Sequence, residues 1–313
     1  MRTRKFTRGR MCAIAAGAAM CAWMVFPGKA QQQQATARIA AGSPGIKVQQ
    51  IRRNVFMLIG DGANVVVQTE QPAGEESYDS VYGAVQGRGI MVVDSGTAAM
   101  SDQLLTTIRS LSNGPIRYIV NTSADADHVG GNEALAKVSG GIVRGALGGR
   151  PAGPPLMILA HETVLERMGA PSGQQAAYSL DAWPTDVYAK DKEVFFNGGS
   201  TKIVHQPGAH TDGDSIVFLR RSDVISAGEL FSTTGFPKID AAKGGHIQGV
   251  IDGLHQILEM AIPGELEQGG TMIVPAHGRL SDEADVEFYC EMVQIVHDRV
   301  ADGVKNGMTL DQV

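Results

Sequence analysis

The stretch Asn121-Thr122-Ser123-Ala124-Asp125-Ala126-Asp127-His128-Val129-Gly130-Gly131 decides how this chain folds. It follows a short apolar run at residues 118–120 and precedes a helical pattern at 133–138. Asp125, Asp127 and His128 are thus delivered on a loop behind a strand, and the two glycines let that loop pack closely on the helix. Three more side chains stand in the same kind of place. His210 lies in Gly208-Ala209-His210-Thr211-Asp212-Gly213-Asp214, a turn feeding the apolar run 215–219. Glu229 follows Ala227-Gly228 behind a strand at 224–226, and His277 sits between Val274-Pro275-Ala276 and Gly278. Metal sites assemble this way, from ligands distant in sequence that rigid strand ends bring together. One such turn says little, but four form a pattern. Taken alone, Asp127 and His128 also read as residues capping a helix near Gly131.

Outward from that loop the chain alternates short strands with helices. Toward the N-terminus, Val55–Ile59 and residues 63–68 flank Gly60-Asp61-Gly62, and residues 81–85 and 89–93 flank Gln86-Gly87-Arg88, both with hairpin punctuation. Asp94-Ser95-Gly96 ends that run, and Ser101–Leu111 has helical spacing. Residues 140–155 read as a Gly- and Pro-rich excursion, 156–160 as a strand and 161–168 as a helix. Residues 170–190 show no period and read as an aromatic-bearing loop, in which Trp183 and Tyr188 suit either the lining of a substrate pocket or packing. Strands at 193–196, 201–205, 215–219, 224–226 and 272–274 and helices at Ile247–Met260 and 282–300 complete the second half. Two strand-rich halves, each followed by helices, predict an α/β fold with sheets packed on each other and helices outside.

Residues 1–30 read as a signal peptide rather than as part of the fold. A basic segment (Arg2, Arg4, Lys5, Arg8, Arg10) leads into an uncharged, mostly apolar stretch at 11–26 and a small-x-small cleavage pattern at Gly28-Lys29-Ala30. That stretch is short for a membrane span, and no second apolar run follows, so the reading is an exported protein, periplasmic or secreted, with no integral membrane segment after cleavage. Residues 31–45 are polar and of low complexity, a disordered lead-in to a domain at 46–313. The leader carries six cations and no acid, which leaves 21 cations against 33 acids and a net charge of −12. An acidic exported protein is poorly suited to a phosphate backbone, so nucleic acid is excluded as a partner and a small-molecule substrate is favoured. Only Cys290 remains of the three cysteines, so the mature chain has no internal disulfide.

These motifs resemble the metallo-β-lactamase fold superfamily over roughly residues 46–300. Residues 121–131 are similar to its H-x-H-x-D-H loop, the turn around His210 to its third-histidine motif, and Ser226-Ala227-Gly228-Glu229 to the strand end that usually presents an aspartate or cysteine. Pro275-Ala276-His277-Gly278 resembles the last histidine motif and Asp94-Ser95-Gly96 the D-x-G turn. The resemblance implies an αββα sandwich and a metal-dependent hydrolase of a small ester, thioester, lactone or β-lactam using a metal-activated water. It also implies zinc as cofactor, one per chain, with iron or manganese as alternatives. Asp127, His128 and His277 match the ligands of the family's second metal site, with Glu229 in the bridging position. The first site departs from the pattern: Ser123 and Asp125 stand where two histidines belong, leaving His210 as its matching ligand. Serine is a poor zinc ligand, and Asp125 is a harder one than histidine. Asp125 stays open between substitute ligand and solvated loop carboxylate, and Glu229 between ligand and loop brace. Asp125, Asp127 and Glu229 are the candidates for proton transfer. The competing reading is an inactive pseudo-hydrolase that binds a small molecule in the same pocket, because two ligand positions are lost while the surrounding glycines are kept. His161 and His205 read as structural, and Cys290 as a small core residue.

Overall fold

The computed structural model describes residues 39–41, 45–70, 88–139, 155–170, 177–267 and 269–313. The readings made for residues 1–30, for a strand at 81–85 and for residues 140–154 lie outside the described residues. Within the stretch read as a disordered lead-in, Ile39–Ala41 (β1) pairs antiparallel with Lys47–Arg52 (β2). Val55–Ile59 (β3), Val65–Gln68 (β4), Ile90–Val93 (β5), Ile116–Val120 (β6), Met157–His161 (β7) and Asp186–Tyr188 (β8) complete an eight-stranded sheet in sequence order. It is antiparallel from β1 to β5 and parallel from β5 to β8. The second sheet holds Lys192–Phe196 (β9), Gly199–Gln206 (β10), Asp214–Leu219 (β11), Val224–Ser232 (β12) and Met272–His277 (β13), in the order β13-β12-β11-β10-β9. Only β12 and β13 run parallel there.

Single-residue alternation along the strands decides which layer each side chain enters. Leu58, Val65, Val67, Ile90 and Val92 face outward onto Leu104 and Ile108 of Ser101–Leu111 (α1) and Leu135 of Asn132–Val138, numbered α3 because Ala126–Val129 is α2. Their neighbours Met57, Val66, Met91 and Val93 turn the other way and meet Ile203, Val217, Val224 and Val274 between the sheets. Ile216, Ile225 and Ile273 lie under Ile247–Met260 (α5) and Glu283–Lys305 (α6), with Glu162–Gly169 as α4. The result is the αββα sandwich. Strands buried on both faces appear as unbroken apolar runs in sequence, as these do. Cys290, on the inner side of α6, is free and buried in the cluster that holds Ile216, Ile225 and Ile273. Among the described residues no helix is long and apolar enough to cross a membrane.

Residues 170–190, read as a loop throughout, are corrected at their end, where the chain forms a strand. That strand is β8, and Tyr188 is buried in the inter-sheet core, its hydroxyl donating to Ser215 Oγ at 3.1 Å. Trp183 donates from Nε1 to the Tyr178 carbonyl and packs with Val129, Val164 and Met168. Both polar atoms are satisfied inside the protein, as suits rings that pack.

His161 at the end of β7 stacks on His205 of β10, ring centroids 3.6 Å apart and 9° from parallel, so the pair joins the two sheets. His161 also caps α4, Nδ1 accepting the Thr163 amide. Burial first, then the charge of His205, lowers the His161 pKa below 6.5, against weaker opposition from a backbone hydrogen bond at Ala189 and from Glu162 and Asp212. The unfolded chain then binds more protons than the folded one just below pH 6.5. Stability contributed by neutral His161 is therefore complete above about pH 6.5 and is lost as the pH falls toward the folded pKa. Urea midpoints measured between about pH 7.5 and about pH 5.5 are expected to fall less in His161→Asn, which keeps the capping acceptor, than in the wild type.

Candidate metal centre

The site is built at the strand ends, beginning with Asp94 just past β5. This residue has φ 60°, the left-handed region that a side chain disfavours. Its surroundings hold it there. The Asp94 amide donates to the Val120 carbonyl at 2.8 Å, and Oδ1 accepts the Thr122 amide at 2.8 Å. Oδ2 accepts the Thr122 hydroxyl at 2.7 Å and lies 2.9 Å from Nδ1 of the fully buried His128. With Nδ1 turned onto a carboxylate, Nε2 is the nitrogen that His128 presents to the site. The loop around it is pressed against the Asp94-Ser95-Gly96 turn: a Cβ on Gly130 would stand 2.4 Å from the Ala98 amide, and one on Gly131 2.3 Å from the Ser95 carbonyl.

Glu229 reaches the same place from the second sheet. The register of β12 against β13 is irregular on either side of Gly228, which takes φ 54°. Glu229 Oε1 lies 3.2 Å from His128 Nε2 and 2.8 Å from His277 Nε2 at the end of β13. Asp127 Oδ2 is 3.5 Å from His277 Nε2. One ligand atom from each of Asp127, His128, Glu229 and His277 falls within 4.8 Å of all the others. Burial opposes charge on both His128 and Glu229. The carboxylates of Asp94 and Glu229 nevertheless raise the His128 pKa, and hydrogen bonds with His128 and His277 hold the Glu229 carboxyl well below its usual range. Two imidazoles and two carboxylates converging from both sheets are a donor set that fits a divalent metal ion.

Asp125 and His210 are placed together, and apart from that quartet. His210 Nε2 lies 2.9 Å from Asp125 Oδ2, while Nδ1 donates to the Lys238 carbonyl at 3.0 Å. The other Asp125 oxygen accepts from Lys243 Nζ at 3.1 Å. The hydrogen bond from His210 holds the Asp125 carboxyl well below its usual range. For His210, burial acts against the charged form, and Asp125, Asp214 and the Lys238 carbonyl together outweigh it and raise the pKa. The Ser123 hydroxyl accepts the Asp125 amide at 3.2 Å and is fully buried. Asp214 braces the His210 turn by accepting the Thr211 amide and hydroxyl, its own pKa pushed up to about 6 by burial.

Two lysines join the site without any notice in the sequence pattern. Lys238 Nζ stands 3.3 Å from His277 Nε2 and 3.8 Å from Glu229 Oε1. Lys243 Nζ bridges Asp125 and Asp240, 3.1 Å from each. Both lie on the loop between β12 and α5, where a charged residue gives no local signal of its partner. The motif around Asp94 marks a turn, but its grip on His128 depends on a strand pairing that the motif alone does not reveal.

The sequence model of the metallo-beta-lactamase superfamily, whose members are generally metal-dependent hydrolases, matches residues 79–279. No curated protein matches the chain. Among solved structures it is similar to a metallo-beta-lactamase from Pontibacter korlensis, at 13% identity and a TM-score of 0.53 over 82% of this chain and 99% of that one. The DIM-1 metallo-beta-lactamase gives 13% identity and a TM-score of 0.55 over 81% and 99%. The sec-alkylsulfatase Pisa1 from Pseudomonas sp. gives 15% and 0.57, with 84% of this chain covering 44% of that enzyme. At such identities the structural likeness is one of fold. The sequence match extends over well more than half of the chain and includes every residue of the quartet, and on that ground the protein belongs to the metallo-beta-lactamase superfamily.

Proposed function

We propose that this protein is an exported hydrolase of a small ester, thioester, lactone or β-lactam, working with one zinc ion held by Asp127, His128 and His277, with Glu229 beside them, so that a fourth position stays open to water. The observation that carries the reading is the convergence of those four ligand atoms within 4.8 Å of one another. A zinc ion there supplies a Lewis acid and lowers the pKa of a water toward about 7. The chain's own groups supply the rest. Asp94 holds the proton of His128 on Nδ1 and leaves the Nε2 lone pair facing inward. Asp127 has a side chain 26% exposed against 4% for Glu229, so the Asp127 oxygen not given to the metal is the one placed to take a proton from water at the open side. The Lys238 ammonium beside His277 offsets negative charge developing on a carbonyl oxygen. A cavity of about 390 Å³ lined by Phe231, Phe236, Phe288 and Met292 adjoins this edge through Thr233, whose amide donates to the His277 carbonyl. It receives the apolar part of the substrate. Residues 1–30 direct export and are removed.

Elemental analysis of protein purified without chelator tests the reading. About one ion per chain is expected in the wild type and none in Asp127→Ala/His277→Ala. Zinc rather than iron or manganese is the expected element. A wild type that takes up no metal even when zinc is offered overturns the proposal.

A further inference from the structure

Asp127 and His277 are the exposed members of the quartet. Their side chains are 26% and 20% exposed, whereas those of His128 and Glu229 are 0% and 4% exposed. His277 also stands at the end of β13, the last strand of its sheet. Beyond the bridge from Ile273 to Ser281, the outer edge of β13 has no ladder partner among the described residues. The turn between β3 and β4, in the other sheet, holds that edge instead. The Asn64 amide donates to the Ala276 carbonyl at 2.7 Å, and Asn64 Nδ2 donates to the carbonyls of Pro275 at 3.0 Å and Gly278 at 3.1 Å. Both groups that meet the Asn64 side chain there are carbonyl oxygens, so its NH₂ end must face them. The remaining carbonyl of the stretch, that of His277, accepts the Thr233 amide. Asn64 is buried, so water competes little for these bonds. Two residues earlier, Gly62 takes φ 99°, and a Cβ there would stand 2.8 Å from Asp127 Cβ and 2.9 Å from Thr97 Cγ2. The same short turn therefore packs on Asp127 and is bonded around His277.

We propose that Gly62 and Asn64 form a strut that sets the separation of Asp127 and His277, whose ligand atoms stand 3.5 Å apart. A metal centre needs its ligands held within about 0.5 Å of the working geometry. His128 and Glu229 meet that demand through burial and their own bonds, and the two exposed ligands meet it through the strut. The Asn64 bonds go to backbone carbonyls, which cannot swing aside as a side chain does, so the turn carrying His277 moves only with Asn64. Gly62 packs against Asp127 at the root of its side chain, which fixes the carboxylate from the other end. Both are positioning residues, acting through Asp127 and His277 rather than on the ion. The inference rests on the reading that Asp127, His128 and His277 hold an ion.

Zn²⁺ affinity of the full chain, measured by competition with a chromophoric chelator beside the urea midpoint of each metal-free variant, tests it. Asn64→Ala keeps the backbone bond to Ala276 and loses both side-chain bonds. Its binding is expected to weaken about 10- to 100-fold, the usual cost of removing a partner behind a metal ligand. Asn54→Ala is the control, because it removes a buried amide that donates to the Thr69 carbonyl at 2.9 Å, at the far end of the same hairpin. It is expected to lower the midpoint and leave affinity within about twofold of the wild type. The visible absorption of the Co²⁺-loaded protein, which reads ligand geometry, is expected to change in Asn64→Ala and not in Asn54→Ala. An Asn64→Ala protein that binds as tightly as the wild type overturns the proposal and leaves the metal reading standing, as do equal losses of affinity in the two asparagine variants. No ion in the wild type overturns both. If Asn64→Ala does not fold, Gly62→Ala decides. Its methyl crowds Asp127 from a partly exposed turn, and unchanged affinity in that variant overturns the strut.

Discussion

Asp94→Ala is expected to cost about 3–5 kcal/mol of stability, the range for removing one partner of a buried charged pair. Asp94 is 1% exposed, and its carboxylate is the shared acceptor for the Thr122 amide, the Thr122 hydroxyl and His128 Nδ1. Alanine would leave a buried backbone donor and a buried imidazole without that partner, while the backbone stays in a φ of 60° that the lost bonds had been holding. Asp94→Asn separates the folding role from the metal role. The asparagine oxygen still accepts the Thr122 amide, so most of the stability is retained. Its NH₂ group, however, meets His128 Nδ1 and donates to it. That places the imidazole proton on Nε2, the nitrogen facing Glu229 and His277, and removes the lone pair a metal requires. The expected result for Asp94→Asn is a near-wild-type urea midpoint with metal affinity reduced about 10- to 100-fold, the usual cost of losing a carboxylate behind a ligating histidine. If the asparagine variant binds metal as tightly as the wild type, Asp94 acts on the fold alone.

Much of this site is legible in the sequence because its parts are local. His128, His210 and His277 each stand beside glycines at the end of an apolar run, and such a position has few structural uses. Ser101–Leu111 and Ile247–Met260 have the same bounds in sequence and structure, since an amphipathic period and flanking breakers mark both. The apolar run of β12 stops at Ser226 in the sequence, because Gly228 and Glu229 interrupt it; the strand continues to Ser232 through the irregularity that presents Glu229. The three-residue β8 is too short to show a period, so nothing local places Tyr188 on a strand. Lys243 is illegible for another reason. Its meaning depends on Asp125, 118 positions away, and on a fixed turn formed only when residues 240–246 pair with 208–212. The division of the acidic and imidazole residues into a quartet and a lysine-closed pair is thus a property of the tertiary structure, whereas their gathering at one edge follows from their strand-end positions.

Gly131→Ala is expected to lower stability by about 2 kcal/mol or more, the scale of overpacking a closed interior. Backbone conformation is not the obstacle: Gly131 has φ −87° and ψ −5°, which any residue adopts. At a compatible site the change from glycine would even stabilise by about 0.4–1 kcal/mol through the unfolded chain. Space reverses the sign. The new methyl would lie 2.3 Å from the Ser95 carbonyl oxygen, a backbone atom that cannot swing aside. Relief requires moving the Ser95 turn away from the loop. The Ser95 amide and hydroxyl both donate to the His128 carbonyl, and the same hydroxyl accepts the Gly131 amide, so that movement breaks bonds. Asp94 is the adjacent residue, so the displacement also pulls on the carboxylate that orients His128. Gly131→Ala should therefore lose metal affinity together with stability, unlike Asp94→Asn, which loses affinity first. Gly235→Ala serves as the control, since a Cβ there meets nothing within 4 Å. Its urea midpoint is expected to match the wild type within about 0.5 kcal/mol. Equal losses in the two glycine variants would mean that chain stiffness, rather than the tight seat of the loop on the Ser95 turn, governs the result.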